Sequence, residues 1–159
     1  MIQMNPIGTI HTPFKETQGM PIQPAGARGV EGALEVLPEL AEGLKDVDGF
    51  SHVIILYHFH QSNGYNLRVT PFLDKEERGV FSTRAPKRPN PIGLSVVEVV
   101  KVEGNIVHVK NIDVLDGTPL LDIKPYVPQF DTPEFSRTGW LEEAQKNAPK
   151  TRADERFSK

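Results

Sequence analysis

Three polar stretches hold the residues of this 159-residue chain that could do chemistry. The run Ser82-Thr83-Arg84-Ala85-Pro86-Lys87-Arg88-Pro89-Asn90-Pro91-Ile92-Gly93 sets three cations on a backbone stiffened by three prolines. Guanidinium forks recognise carboxylates and phosphates, so such a loop can bind an anion. The same spacing suits a proline-rich connection with solvated charges, and spacing alone does not separate the two. The run Asp113-Val114-Leu115-Asp116-Gly117-Thr118-Pro119, followed by Leu120 to Tyr126, gathers Asp113, Asp116, Asp122 and Lys124 around a turn. Its carboxylates either work on a ligand or cap backbone amides. The third stretch, Pro21 to Gly26, reads by itself as a rigid surface turn. His52, His58 and His60 alternate onto one strand face, and His58 with His60 could hold a metal ion. Metal sites want more convergent ligands with carboxylates behind them, so no metal is expected.

Composition narrows the classes. The chain has no cysteine, which excludes disulfides, zinc-thiolate sites, thiol nucleophiles and iron–sulfur clusters held by its own residues. The net charge is -3, unlike a protein that coats nucleic acid non-specifically, so any RNA contact should be local. G-x-G-x-x-G, G-x-x-x-x-G-K-[ST] and G-x-S-x-G are all missing, which argues against a Rossmann cofactor domain, a P-loop and a hydrolase elbow. No apolar run reaches membrane-spanning length and Met1 to Ile10 does not read as a secretory signal, so a cytoplasmic location is expected.

The elements that must position these stretches are strands. Fourteen prolines and thirteen glycines interrupt helices throughout. Ile7 to His11, Gly32 to Leu37, Asn66 to Phe72, Gly79 to Thr83 and Leu120 to Lys124 read as short strands. Phe50 to His60 is the strongest, and it is apolar on both faces, as a central strand of a closed sheet would be. Leu94 to Val102 and Ile106 to Ile112 flank Glu103-Gly104-Asn105 as a hairpin with a three-residue loop. A helix is predicted over Pro38 to Lys45, with Leu40 and Leu44 on one face. A shorter helix is predicted over Gly139 to Lys146, where Trp140 packs onto the barrel. The expected fold class is all-β: one small β-barrel over residues 1–135, then a C-terminal helix and polar tail over 136–159 that frays at its end.

Several segments together resemble the TsaA-like family, which includes the tRNA methyltransferase acting on N6-threonylcarbamoyladenosine. They are Ile7-Gly8-Thr9-Ile10 with Pro13-Phe14, Phe50-Ser51-His52 with Phe59-His60-Gln61, Gly79 to Arg84 with Arg88 to Gly93, and Asp113 to Pro119 with Asp122 to Tyr126. The likeness covers roughly Ile7 to Asp131. It implies a β-barrel that binds S-adenosylmethionine (SAM) near the interface of a homodimer. The positions implied for SAM are Pro24, Ala25, Gly26, His60, Gln61, Arg84, Leu94, Val114, Leu115, Asp116 and Gly117.

On that resemblance the protein only has to hold the acceptor in line with an already activated methyl group and exclude water. The acceptor nitrogen is urea-like and a poor nucleophile. His60, Asp116 and Tyr126 are the candidate bases or hydrogen-bond partners, unranked. Lys87 and Arg88 are the expected tRNA phosphate contacts. Three rivals stay open: a SAM-binding module without catalysis, a methyltransferase for another RNA or small molecule, and a metal-dependent barrel using the histidines.

Overall fold

The computed structural model describes residues 1–21, 24–72, 74–134 and 136–144. Six strands close into a barrel in the order β1-β2-β7-β6-β3-β8. They are β1 (Gly8–His11), β2 (Glu31–Val36), β3 (His52–His58), β6 (Ile92–Glu103), β7 (Ile106–Lys110) and β8 (Thr118–Pro125). β4 (Arg68–Val69) and β5 (Arg78–Gly79) pair as a separate ribbon within the long connection from β3 to β6. The all-β barrel expected from the alternation is therefore present, but two of the eight anticipated strands stand outside it and are largely not strand. Of Asn66 to Phe72 only Arg68–Val69 is strand, and of Gly79 to Thr83 only Gly79 is, with Val80–Ser82 a 3-10 turn.

Alternation explains the core. Val53, Ile55 and Tyr57 of β3 point inward, as do Val97 of β6, Val107 and Val109 of β7, Leu34 and Val36 of β2, Ile10 of β1 and Leu120 of β8. Burying one such Val, Leu or Ile side chain contributes about 1.5–3 kcal/mol, so this cluster is the main force closing the sheet. Ile112 and Val114 pack over one end of it. A smaller core of Val69, Val80 and Ala85 holds the ribbon to the following loop.

The second apolar face of β3 has another explanation than burial inside a layered sheet. Ile54 and Leu56 lie half-buried on the outside, paired with Val96 and Leu94 of β6. Together with Ile92 they make an apolar row on the barrel's exterior.

Two local expectations are corrected. Pro38–Leu44 is a 3-10 helix rather than an α-helix. At about three residues per turn, positions four apart are rotated by roughly a third of a turn. Leu44 is accordingly buried while Leu40 is exposed. The β6–β7 hairpin has a two-residue loop, because Glu103 pairs directly with Ile106. Gly104 takes the left-handed φ of 58° at its first position, as a tight hairpin requires. The predicted helix over Gly139 to Lys146 is seen as Leu141–Ala144; its last residues, and the polar tail over 145–159, lie outside the described residues.

Candidate functional site

Every neighbouring pair in the barrel is antiparallel, so the connections leave alternately from two ends. β1, β3 and β7 run one way; β2, β6 and β8 return. The β1–β2, β3–β6 and β7–β8 connections therefore emerge from the same end. These are the segments that contain Pro24 to Gly26, His60 to Pro91, and Asn111 to Gly117. Barrel closure alone thus gathers three stretches that are far apart in the chain.

His60 and Gln61 are exposed at this rim, in a turn closed by the Ser62 amide donating to the Phe59 carbonyl at 3.0 Å. Ser62 Oγ beside them is buried with no hydrogen-bond partner among the described residues. Pro24–Ala27 forms a single 3-10 turn, and Ile22 and Gln23 of the same stretch lie outside the described residues.

The proline-rich loop is held by its own side chains. Thr83 Oγ1 donates to the Val80 carbonyl at 2.8 Å and accepts from the Ala85 amide. Arg88 Nη1 donates to the carbonyls of Thr83 (2.8 Å) and Ala85 (3.2 Å). Thr83 and Ala85 are buried, and Arg84 between them is exposed, near enough to Asp113 and Tyr57 for its charge to act on both. Arg88 is thus half-buried and partly committed to bracing Arg84, while half-buried Lys87 lies beside it. Trp140 docks on the same region rather than on the barrel wall. Its Nε1 donates to the Ser82 carbonyl at 2.9 Å, and the Arg78 guanidinium lies 5.8 Å from its ring centre.

The β7–β8 loop is tied to β1. The amides of Asp116 and Gly117 donate to the carbonyls of Phe14 (2.7 Å) and Ile10 (2.8 Å). Thr12 Oγ1 donates to the Val114 carbonyl at 2.7 Å, and Thr118 Oγ1 to the Leu115 carbonyl at 2.6 Å. Asp116 accepts from the Thr12 amide at 2.9 Å and from Lys15 Nζ at 2.7 Å. The Lys15 ammonium and the Thr12 amide hold its carboxyl below the usual range, which makes Asp116 a weak base. A cleft of about 400 Å³ opens beside it, lined by His11, Lys15, Glu31 and His108.

A buried polar chain that sequence reading missed lies inside this end of the barrel. Ser95 Oγ donates to Asp113 Oδ1 at 2.7 Å, and the Tyr57 hydroxyl lies 2.8 Å from the same Oγ. A serine has one hydroxyl proton, so with the Asp113 carboxylate accepting it, Tyr57 must donate to Ser95. Burial pushes the Asp113 carboxyl up to about 6, against the opposing pull of Ser95, its own backbone amide and the Arg84 charge. Burial, then the Asp113 charge, raises the Tyr57 hydroxyl well above its ordinary value. The signal was a polar residue, Ser95, at an inward position of β6 between Gly93 and Val97.

Other expected residues stand apart. Leu94 is at the same end but on the outer wall, 43% exposed beside Leu56. Tyr126 is at the opposite end: its amide donates to the His52 carbonyl and its hydroxyl contacts Thr132 Oγ1 at 2.7 Å. The eight residues of β8 carry the chain the length of the barrel between Gly117 and Tyr126. His52 is there too, six residues along β3 from His58, so the three histidines do not converge. No group of three metal-ligating side chains occurs among the described residues.

The family model of the tRNA-methyltransferase O N-terminal domain matches residues 9–132. A probable S-adenosyl-L-methionine-binding protein of Pyrococcus abyssi (strain GE5 / Orsay) is 55% identical over 157 residues, 99% of this chain and 85% of its own length. The tRNA (adenine(37)-N6)-methyltransferase of Mus musculus is 38% identical over 136 residues, 81% of this chain but only 32% of the mouse protein. The crystal structure of TrmO from Pseudomonas aeruginosa superposes with a TM-score of 0.74 at 40% identity, covering 88% of this chain and 62% of that one. The chain therefore spans under two thirds of that structure and about a third of the mouse enzyme. The sequence motifs, the barrel and these likenesses agree: the chain belongs to the tRNA-methyltransferase O N-terminal domain family.

Proposed function

We propose that this protein is a SAM-dependent methyltransferase that methylates N6 of N6-threonylcarbamoyladenosine next to the anticodon of tRNA. The observation that carries the reading is the convergence of His60–Gln61, Arg84 and the Asp113–Gly117 loop at one barrel end, in a chain whose relatives are named for SAM binding and tRNA adenine methylation. SAM supplies a methyl group already activated by its sulfonium. The residues present fit such a ligand. Arg84 is braced, exposed and without a hydrogen bond among the described residues, ready to take a carboxylate. The Ser62 hydroxyl lacks a partner among the described residues, and Leu94 offers an apolar contact outside.

In this reading Pro24, Ala25, Gly26, Gln61 and the Val114–Gly117 backbone wall the cofactor site. His60 at the rim orients the acceptor. Of the three bases weighed on sequence, Tyr126 is too far from this end to serve and Asp116 is engaged by Lys15. Production of S-adenosylhomocysteine that depends on the threonylcarbamoyl group of the tRNA supports the assignment. Equal production with tRNA lacking that group points to another acceptor.

Lys87 and the remaining guanidinium nitrogens of Arg88 contact tRNA phosphates. Lys87→Ala is expected to lower the slope of log affinity against log salt by about one. An unchanged slope removes Lys87 from the interface.

The protein works as a homodimer in the cytoplasm. Ile54, Leu56, Ile92, Leu94 and Val96 make the contact, because an apolar row on a barrel exterior gains by leaving water and continues to the rim at Leu94. Leu56→Asp is expected to sediment as a monomer where the unsubstituted protein sediments as a dimer; a dimer in both moves the interface elsewhere. No described helix is long and apolar enough to cross a membrane.

A further inference from the structure

We propose that Asp113 is the base that removes the proton from the acceptor nitrogen during methyl transfer, an inference that rests on the reaction proposed above. Asp113 sits inside the barrel end directly before the Val114–Gly117 loop, where its carboxylate is oriented by Ser95 and, through Ser95, by Tyr57. No other described carboxylate is tied to the core beneath this rim. Asp116 is held by Lys15 and Thr12, and Glu31 and Glu35 lie on the outer flank of β2.

The chemistry balances. As the acceptor nitrogen bonds to the methyl carbon, the S–CH3 bond breaks and its electron pair returns to sulfur. The N–H proton passes to the Asp113 carboxylate, so cationic sulfonium and anionic carboxylate both end neutral. The Tyr57 → Ser95 → Asp113 direction of donation leaves the carboxylate as the only acceptor at the end of the chain.

A carboxyl pushed up to about 6 is a stronger base than an ordinary aspartate and is still mostly ionised at neutral pH. The charged and titratable groups facing it are Tyr57 from β3 and Arg84 from the β3–β6 connection. Arg84 and the Ser95 hydrogen bond both favour the ionised form, so they oppose burial and set where the limb falls.

The test compares unsubstituted protein, Asp113→Asn and Ser95→Ala on tRNA carrying threonylcarbamoyladenosine, with SAM affinity measured separately by calorimetry. Asp113→Asn is expected to keep SAM affinity within about threefold and to lose about 100-fold or more of the transfer rate at saturating substrates. It should also melt higher at pH 7.5, because it removes a charge that burial disfavours. Ser95→Ala should move the acidic limb of the rate from near pH 6 to higher pH, a change that simple loosening of the barrel does not produce. In protein labelled at aspartate carboxyl carbons, a titration near pH 6 should vanish with Asp113→Asn. Transfer within tenfold of normal in Asp113→Asn, an unmoved limb in Ser95→Ala, or no such titration overturns the inference while leaving the methyl-transfer reading intact. No methylation of this nucleoside by the unsubstituted protein, with SAM bound, overturns the acceptor reading and the base with it.

Discussion

Gly93→Ala is expected to lower stability by about 2–3 kcal/mol and to remove most of the protein's ability to bind SAM. A Cβ on Gly93 would lie 2.3 and 2.6 Å from carbons of the Tyr57 ring and 2.8 Å from the Phe59 ring. Those rings form an edge-to-face pair 5.5 Å apart across the start of β6, and Tyr57 is buried in the core. Neither can swing away without vacating that packing, so the strand or the rings must shift, at the usual cost of overpacking. In a chain of this length that is a fall of about 4–12 °C in the melting temperature. The loss of SAM binding follows because Phe59 anchors the His60–Gln61 turn, whose Gln61 walls the cofactor site, while the disturbed Tyr57 ring acts on the transfer step through Ser95 and Asp113. Gly43→Ala is the control: a Cβ there meets nothing within 4 Å, and its melting temperature should be unchanged or slightly raised. If Gly93→Ala melts like Gly43→Ala and binds SAM normally, Tyr57 and Phe59 do not pack as described.

The second large effect is expected at Asp116. Asp116→Ala should weaken SAM binding by about tenfold or more, while Lys15→Ala changes it by less than about threefold. Asp116 Oδ1 accepts from the Thr12 amide and so pins the β7–β8 loop to the start of the β1–β2 connection. Losing it frees an amide that a charged acceptor had satisfied, a change of about 1.5–3 kcal/mol. Lys15 is 70% exposed, and ion pairs of that kind contribute little. The pH sign follows from the same contacts. The Asp116 carboxyl is held below its ordinary value, so its contribution is fully present above the usual carboxylate range and disappears as pH falls through its depressed pKa. The low-pH loss of folded protein should therefore start at higher pH in Asp116→Ala. Calorimetric titration with SAM is the measurement, and equal affinities for both variants would show that the two loops are not coupled through this carboxylate.

Much of the fold is legible in the chain because strands announce themselves by period-two alternation. Val53, Ile55 and Tyr57, or Val107 and Val109, are enough to set which side faces in. β3 does lie within the closed sheet, flanked by β6 and β8, but its second apolar face is on the barrel exterior and not in a core. The 3-10 turn over Pro38–Leu44 was less legible, because Leu40 and Leu44 fit an α-helical spacing that the short segment does not adopt.

The site was legible in part. Arg84, His60 and the Asp113–Gly117 loop carry recognisable types and motifs, but their meeting at one end follows from strand directions that no local pattern encodes. Tyr126 illustrates the converse. It is nine residues from Gly117, yet β8 carries it to the far end. Arg88 looked like a free cation and is partly spent on the carbonyls of Thr83 and Ala85. The Tyr57–Ser95–Asp113 chain was hidden because its members come from β3, β6 and the β7–β8 connection, and Ser95 among the valines of β6 was its one visible sign.

The most direct test of the proposed activity is mass spectrometry of nucleosides from tRNA carrying threonylcarbamoyladenosine, after incubation with this protein and SAM. The expected result is a gain of one methyl group on that nucleoside and on no other. SAM bound at one site per chain with no methyl gained on that nucleoside would contradict it.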